Sequence, residues 1–253
     1  MDELSVYRIL IWAFLGLALV TLPALFFVTA PYGRHESKWQ GPTVNSTVGW
    51  VVMESPSAIV FFLCWLLSER RTDPASLAFL FLWELHYVHR AFIFPFRRRG
   101  GDKPMPIMVA ASAFTFTSIN AYLNGRWLFT FAPPYGAGWL LDWRFLLGTA
   151  LFLGGFAINQ HADHVLFNLR KPGETGYKIP HGGFYRWVSC PNYFGEIIEW
   201  SGFALLTFSL PGLVFALWTV ANLLPRARSH HRWYRDKFPD YPSERRALVP
   251  GLF

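Results

Sequence analysis

Seven apolar stretches, each close to the length that crosses a bilayer, divide the 253-residue chain. About 20 predominantly apolar residues carry a helix through the hydrocarbon core. Lipid offers the backbone no hydrogen bonds, so only helices or closed barrels survive there. The stretches cover about residues 6–29, 48–68, 74–95, 106–123, 144–168, 192–209 and 212–230. They predict an all-α integral membrane protein, a seven-transmembrane-helix bundle forming a single domain over 1–253. Only 15% of the residues are charged, against about 25% in soluble domains. Twelve Trp and 25 Phe suit a lipid-facing surface with interfacial aromatics.

The formal charge of +7 does not point to nucleic acid, because the basic residues fall between the apolar stretches. Seven spans put the termini on opposite sides. With the N-terminus outside, 17 of the 23 Lys and Arg lie in inside segments and in the tail, which makes the C-terminus cytoplasmic. Asp2 and Glu3 beside Arg8 make a poor basic leader, so the first stretch reads as a span rather than a cleaved signal. The membrane expected is a bacterial inner membrane or the endoplasmic reticulum. Cys64 and Cys190 give neither a disulfide framework nor a metal pattern, and no metal is expected.

Several spans carry polar groups that lipid would penalise. Glu54 lies in the second. The third holds Glu84, His86, Tyr87, His89 and Arg90, and the fifth Asn159, His161, Asp163 and His164. Buried charges need partners, and intramembrane ionisable residues mark function by default. Any one of them could be a satisfied core group. Together they imply a polar cavity, open to the inside, where Arg97–Arg99, Arg170, Lys171, Arg226, Arg228 and Arg232 suit a polyanionic ligand. Positive-inside topology and anionic lipid account for much of that charge as well.

Residues 182–200, GGFYRWVSCPNYFGEIIEW, carry this pattern furthest. If Pro191 opens a helix, Asn192, Glu196 and Glu199 share one face of it. No GxGxxG, P-loop or GxSxG motif occurs. His230-His231 have no further ligand at a metal-binding spacing.

The stretch at 158–200 and RARSHHRWYRDKFPDYPSERRALVPGLF at 226–253 resemble the steroid 5-alpha-reductase (3-oxo-5-alpha-steroid 4-dehydrogenase) family, in a microbial-type form. Weaker similarity runs through the Glu54 segment and HYVHR at 86–90. The resemblance implies NADPH-dependent reduction of the Δ4 bond of 3-oxo-Δ4 steroids, by hydride transfer to C5 and protonation at C4. It implies Glu54 and Tyr87 as the pair that holds the 3-ketone. It implies Arg90, Arg98 or Arg99, Asn159, Asp163, Arg170, Lys178, Asn192, Glu196, Arg226, His230 and Tyr234 as cofactor residues. Phe94, Arg98 and Lys178 stand where the mammalian pattern commonly has Tyr, Asn and Arg. The partners expected are a steroid or sterol-like enone, NADPH and membrane lipid, without nucleic acid, acting on a monomer. A related sterol or enoyl reductase, or a membrane methyltransferase using S-adenosylmethionine, is the alternative. The Glu54/Tyr87 pair and the surplus of arginines favour the reductase.

Overall fold

A computed structural model describes residues 1–28, 41–98, 103–171, 174 and 176–253. Among these residues the chain forms helices α1 (Glu3–Phe27), α2 (Ser46–Leu66), α3 (Pro74–Arg97), α4 (Ile107–Arg126), α5 (Trp143–Asn168), α6 (Pro191–Thr207) and α7 (Leu210–Lys237). Two three-residue strands, β1 (Thr43–Asn45) and β2 (Pro104–Pro106), pair antiparallel with Val44 opposite Met105. Four helices, α1, α2, α3 and α7, are long and apolar enough to cross a membrane. In α4 and α5 the polar residues Asn120, Asn124, Asn159, Gln160, His161 and Asp163 dilute the apolar run. At 17 residues α6 is short.

The chain divides into two compact units, Met1–Ala13 with Pro31–Leu146 and Phe14–Ala30 with Leu147–Phe253. In the first, helix starts are set by capping. Asn45 Oδ1 accepts from the amides of Thr47 and Val48, so the side chain of the Asn45-Ser46-Thr47 sequon serves as the cap of α2. Asp73 caps α3 in the same way, with Pro74 in the first turn, where its missing N–H costs nothing. The α2–α3 pair is locked by Trp83. Its indole stacks on Phe61 at 4.3 Å and its Nε1–H donates to the Ser57 carbonyl at 2.8 Å. The start of α1 is tied to α4 by Tyr7, which donates to the Leu123 carbonyl, and by the Glu3–Arg126 ion pair at 2.6 Å.

In the second unit α5 and α6 touch backbone to backbone. Gly148 and Gly155 on α5 face Gly202 and Gly195 on α6. A Cβ on Gly155 would stand 2.4 Å from the Glu199 amide nitrogen, and one on Gly195 2.6 Å from the Gly155 carbonyl oxygen. Seven residues separate the glycines on each helix, about two turns, so both fall on one face. Small residues at such a seam let helices approach where lipid removes the hydrophobic drive between them.

The seventh apolar stretch was expected to end near residue 230, with a basic tail beyond. Instead α7 runs on to Lys237. Tyr234, in the added turns, stacks on Tyr241 at 5.2 Å, and Arg235 and Lys237 lie in the last turn, where cations complement the helix dipole. Likewise α4 extends to Arg126 and continues as a π turn through Phe131, beyond the apolar stretch that ends near 123. The tail returns along 187–190: Ser189 N donates to the Arg246 carbonyl, and Cys190 N to that of Ala247.

Candidate active site

The first unit holds Glu54, Tyr87, Arg90 and Arg98. Glu54 lies on α2 two residues before Pro56, which has no N–H for the Val52 carbonyl. The Ser55 hydroxyl donates to that carbonyl instead, at 3.3 Å. On α3 the α-helical ladder gives way to a π turn over His89–Ile93, just before Pro95. Such bulges often mark functional segments, and this one carries Arg90. Arg90 Nε lies 4.0 Å from Glu54 Oε1, with both side chains about four-fifths buried.

Trp50, which sequence reasoning did not single out, organises this corner. Arg90 lies 5.0 Å and Arg98 4.9 Å from its ring centroid, and Arg98 Nη2 donates to Ser46 Oγ at 2.5 Å. Arg90 also covers Phe94 at 4.6 Å. Two guanidinium groups thus share one indole ring, an arrangement that suits the planar arginine fork. Tyr87 is 4% exposed and held by ring contacts at 4.9 Å to both Trp83 and His86. The Phe61–Trp83 stack beside it fixes the ring's direction. Arg99 lies outside the described residues.

The second unit gathers most of the remaining expected residues. The glycine seam brings α5 against the start of α6, one turn above Gly155. There Asn159 Nδ2 donates to the Asn192 carbonyl at 3.0 Å, and Asn192 Nδ2 to Asp163 Oδ1 at 3.3 Å. Asn159 and Asp163 are buried, whereas Asn192 and Glu196 are half-buried along the same face of α6. Pro191 occupies the first turn of α6, as the sequence implied. Glu199 is fully buried at the glycine seam.

Tyr193 extends the cluster to α7, and sequence reasoning missed it. Arg226 Nε donates to its phenol oxygen at 3.2 Å, and His230 Nε2 lies 3.1 Å from the same oxygen. The spacing Arg226–His230, one helical turn, was the available signal; that a tyrosine next to Asn192 joins them was not. Arg170 donates to the Gly176 carbonyl, and Lys178 pairs with Glu174 at 2.6 Å on an exposed loop. Tyr234 belongs to the stack with Tyr241 and Phe238 that anchors the tail. Burial raises the Tyr241 phenol above its ordinary value, against the lowering effects of the Ser189 hydrogen bond and the nearby Arg245 charge.

Chemically the second unit offers amides and carboxylates beside arginines. Amide and carboxylate groups suit a carboxamide and sugar hydroxyls, and arginines suit phosphates.

The family model for 3-oxo-5-alpha-steroid 4-dehydrogenase matches residues 103–253. The 3-oxo-5-alpha-steroid 4-dehydrogenase 1 of Mus musculus is 44% identical over 259 residues, covering 100% of this chain and 99% of its own. That of Rattus norvegicus is 43% identical over 99% of this chain and 96% of its own. The steroid 5-alpha-reductase of Arabidopsis thaliana is 41% identical over 92% of this chain and 91% of its own. The chain belongs to the 3-oxo-5-alpha-steroid 4-dehydrogenase family and is an oxidoreductase.

Proposed function

We propose that this enzyme reduces the Δ4 bond of 3-oxo-Δ4 steroids to 5α-dihydrosteroids, using NADPH, as one seven-span domain with its N-terminus outside and its C-terminus cytoplasmic. The observation that carries the reading is similarity to steroid reductases over essentially the whole chain. The residues of the second unit fit the cofactor. The hydrogen-bonded set Asn159, Asn192 and Asp163 combines donors and acceptors at a half-buried edge, as ribose hydroxyls and a carboxamide require. Arg226, held by Tyr193, is a cation of the right kind for a phosphate. When bound, NADPH supplies the hydride that adds at C5.

The chain's own residues do the rest. As hydride adds at C5, negative charge develops on the 3-oxygen, and a fixed donor there lowers the barrier. Tyr87 is that donor, its ring held by Trp83 and His86. Glu54, beside Arg90, completes the ketone site. C4 then takes a proton to restore the ketone. Arg90, Arg98, Arg99, Arg170, Lys178, Glu196, His230 and Tyr234 complete the cofactor site. The excess of arginines favours NADPH over NADH.

The test uses purified protein in neutral detergent with NADPH and a 3-oxo-Δ4 steroid, and S-adenosylmethionine in a parallel arm. Steroid-dependent loss of the reduced-nicotinamide absorbance is expected. Methyl transfer without NADPH consumption would overturn the reading.

A further inference from the structure

A half-open pocket lies in the same unit as the Asn159 cluster and shares no residue with it. It holds about 480 Å³ between the Gly182-Gly183 turn and the returning tail, and is lined by His181, Arg186, Trp187, Glu244 and Arg245. Its volume is that of a small-molecule site.

Arg245 is the anomaly. It is 3% exposed, yet among the described residues it makes no ion pair. Its hydrogen-bond partners are neutral: the Pro180 carbonyl at 3.0 Å and His181 Nδ1 at 3.2 Å. Among the described residues, Arg245 Nε has no hydrogen-bond partner. A guanidinium only donates, so His181 Nδ1 accepts in this arrangement. The Tyr241 face, 5.3 Å from the guanidinium, adds a weak attraction. A buried cation whose hydrogen-bond partners are all neutral is costly. Arg186 adds a second cation to the wall, against the single carboxylate of Glu244.

We propose that this cavity binds a phosphate ester, with the phosphate at Arg245 and Arg186 and its organic substituent against Trp187. Exposed Arg186 donates a charge-assisted hydrogen bond to a phosphate oxygen, and Arg245, whose Nη1 and Nη2 already donate to Pro180 and His181, contributes chiefly its charge. A bare phosphate is small for the volume, and half-exposed Trp187 supplies an apolar wall for an attached group. The shared chemistry admits two sources, a phospholipid headgroup or a soluble phosphate ester. The site does not depend on the cofactor assignment, and NADPH is left out of its test.

The test measures binding of glycerol 3-phosphate to the purified full chain by calorimetry, for wild type, Arg186→Ala, Glu244→Gln and the control Asp240→Asn. Arg186→Ala is expected to bind about tenfold more weakly, the loss of one charge-assisted hydrogen bond. Glu244→Gln is expected to bind more tightly, and Asp240→Asn like wild type. Because Arg245→Ala also frees the Pro180 loop, the comparison rests on the exposed Arg186 and Glu244. Repeating the titration in phosphatidylglycerol and phosphatidylcholine nanodiscs separates the sources. Binding lost only in phosphatidylglycerol assigns the lipid, and binding kept in both assigns the soluble ester. No saturable binding in detergent, or equal affinity in all four proteins, overturns the proposal.

Discussion

Asn159 Nδ2 donates to the backbone carbonyl of Asn192 at 3.0 Å, so a side chain of α5 fixes the first turn of α6. The same turn presents Asn192 Nδ2 to Asp163. The Asn159, Asp163 and Asn192 set therefore depends on one helix–helix contact, which is set by glycines rather than by the residues themselves.

Asn159→Ala removes the donor and leaves the Asn192 carbonyl to find another. Losing a hydrogen bond to a partly buried group costs about 1–3 kcal/mol. The expected outcome is an NADPH KM raised about tenfold or more, with the steroid KM little changed. Initial rates at varied NADPH check this. A steroid-specific effect would remove Asn159 from the cofactor site.

Gly155→Ala and Gly154→Ala separate packing from composition. A Cβ on Gly155 meets the Glu199 backbone at 2.4 Å, whereas one on Gly154 meets nothing within 4 Å. Overpacking of this kind costs roughly 1–3 kcal/mol. Thermal unfolding in detergent should show a lowered midpoint for Gly155→Ala and an unlowered one for Gly154→Ala. Equal midpoints would mean that the seam is not a tight contact.

Tyr87→Phe keeps the ring contacts with Trp83 and His86 and deletes only the hydroxyl. As an oxyanion donor it should cost about 10²–10³ in kcat, with NADPH affinity unchanged. An unaltered kcat would take Tyr87 out of the ketone site.

Asp142, at the start of α5, has its carboxyl lowered to about 2 by the side-chain hydrogen bonds of Arg144, with a further contribution from the Arg144 amide. A folded value below the unfolded one gives stability that is present above the ordinary Asp range and lost as pH falls toward about 2. Asp142→Asn should therefore unfold earlier than wild type at neutral pH, and the two should converge in strong acid. Parallel curves at every pH would show that the pair does not titrate with folding.

Much of the helical order was legible because apolar length and caps are local. Pro191 opens a helix and Asn192 and Glu196 share its face, both readable from spacing alone. The glycine seam was written as a seven-residue spacing, yet which helix it meets is a tertiary fact. The continuation of α7 through RARSHHRWYRDK was hidden because its charge resembles a tail; the Tyr234–Tyr241 stack that supports it forms only when the chain folds back. Trp50 and Tyr193 read as membrane aromatics, and only the placement of Arg90, Arg98, Arg226 and His230 around them shows what they organise.

The most direct measurement follows an isotope. With NADPH deuterated at the transferring position and a 3-oxo-Δ4 steroid, the product should be a saturated 5α-3-ketone carrying one deuterium at C5, located by NMR. Deuterium at C3, as in reduction of the ketone to an alcohol, or no labelled steroid at all, would contradict the assignment of this chain as a Δ4 reductase.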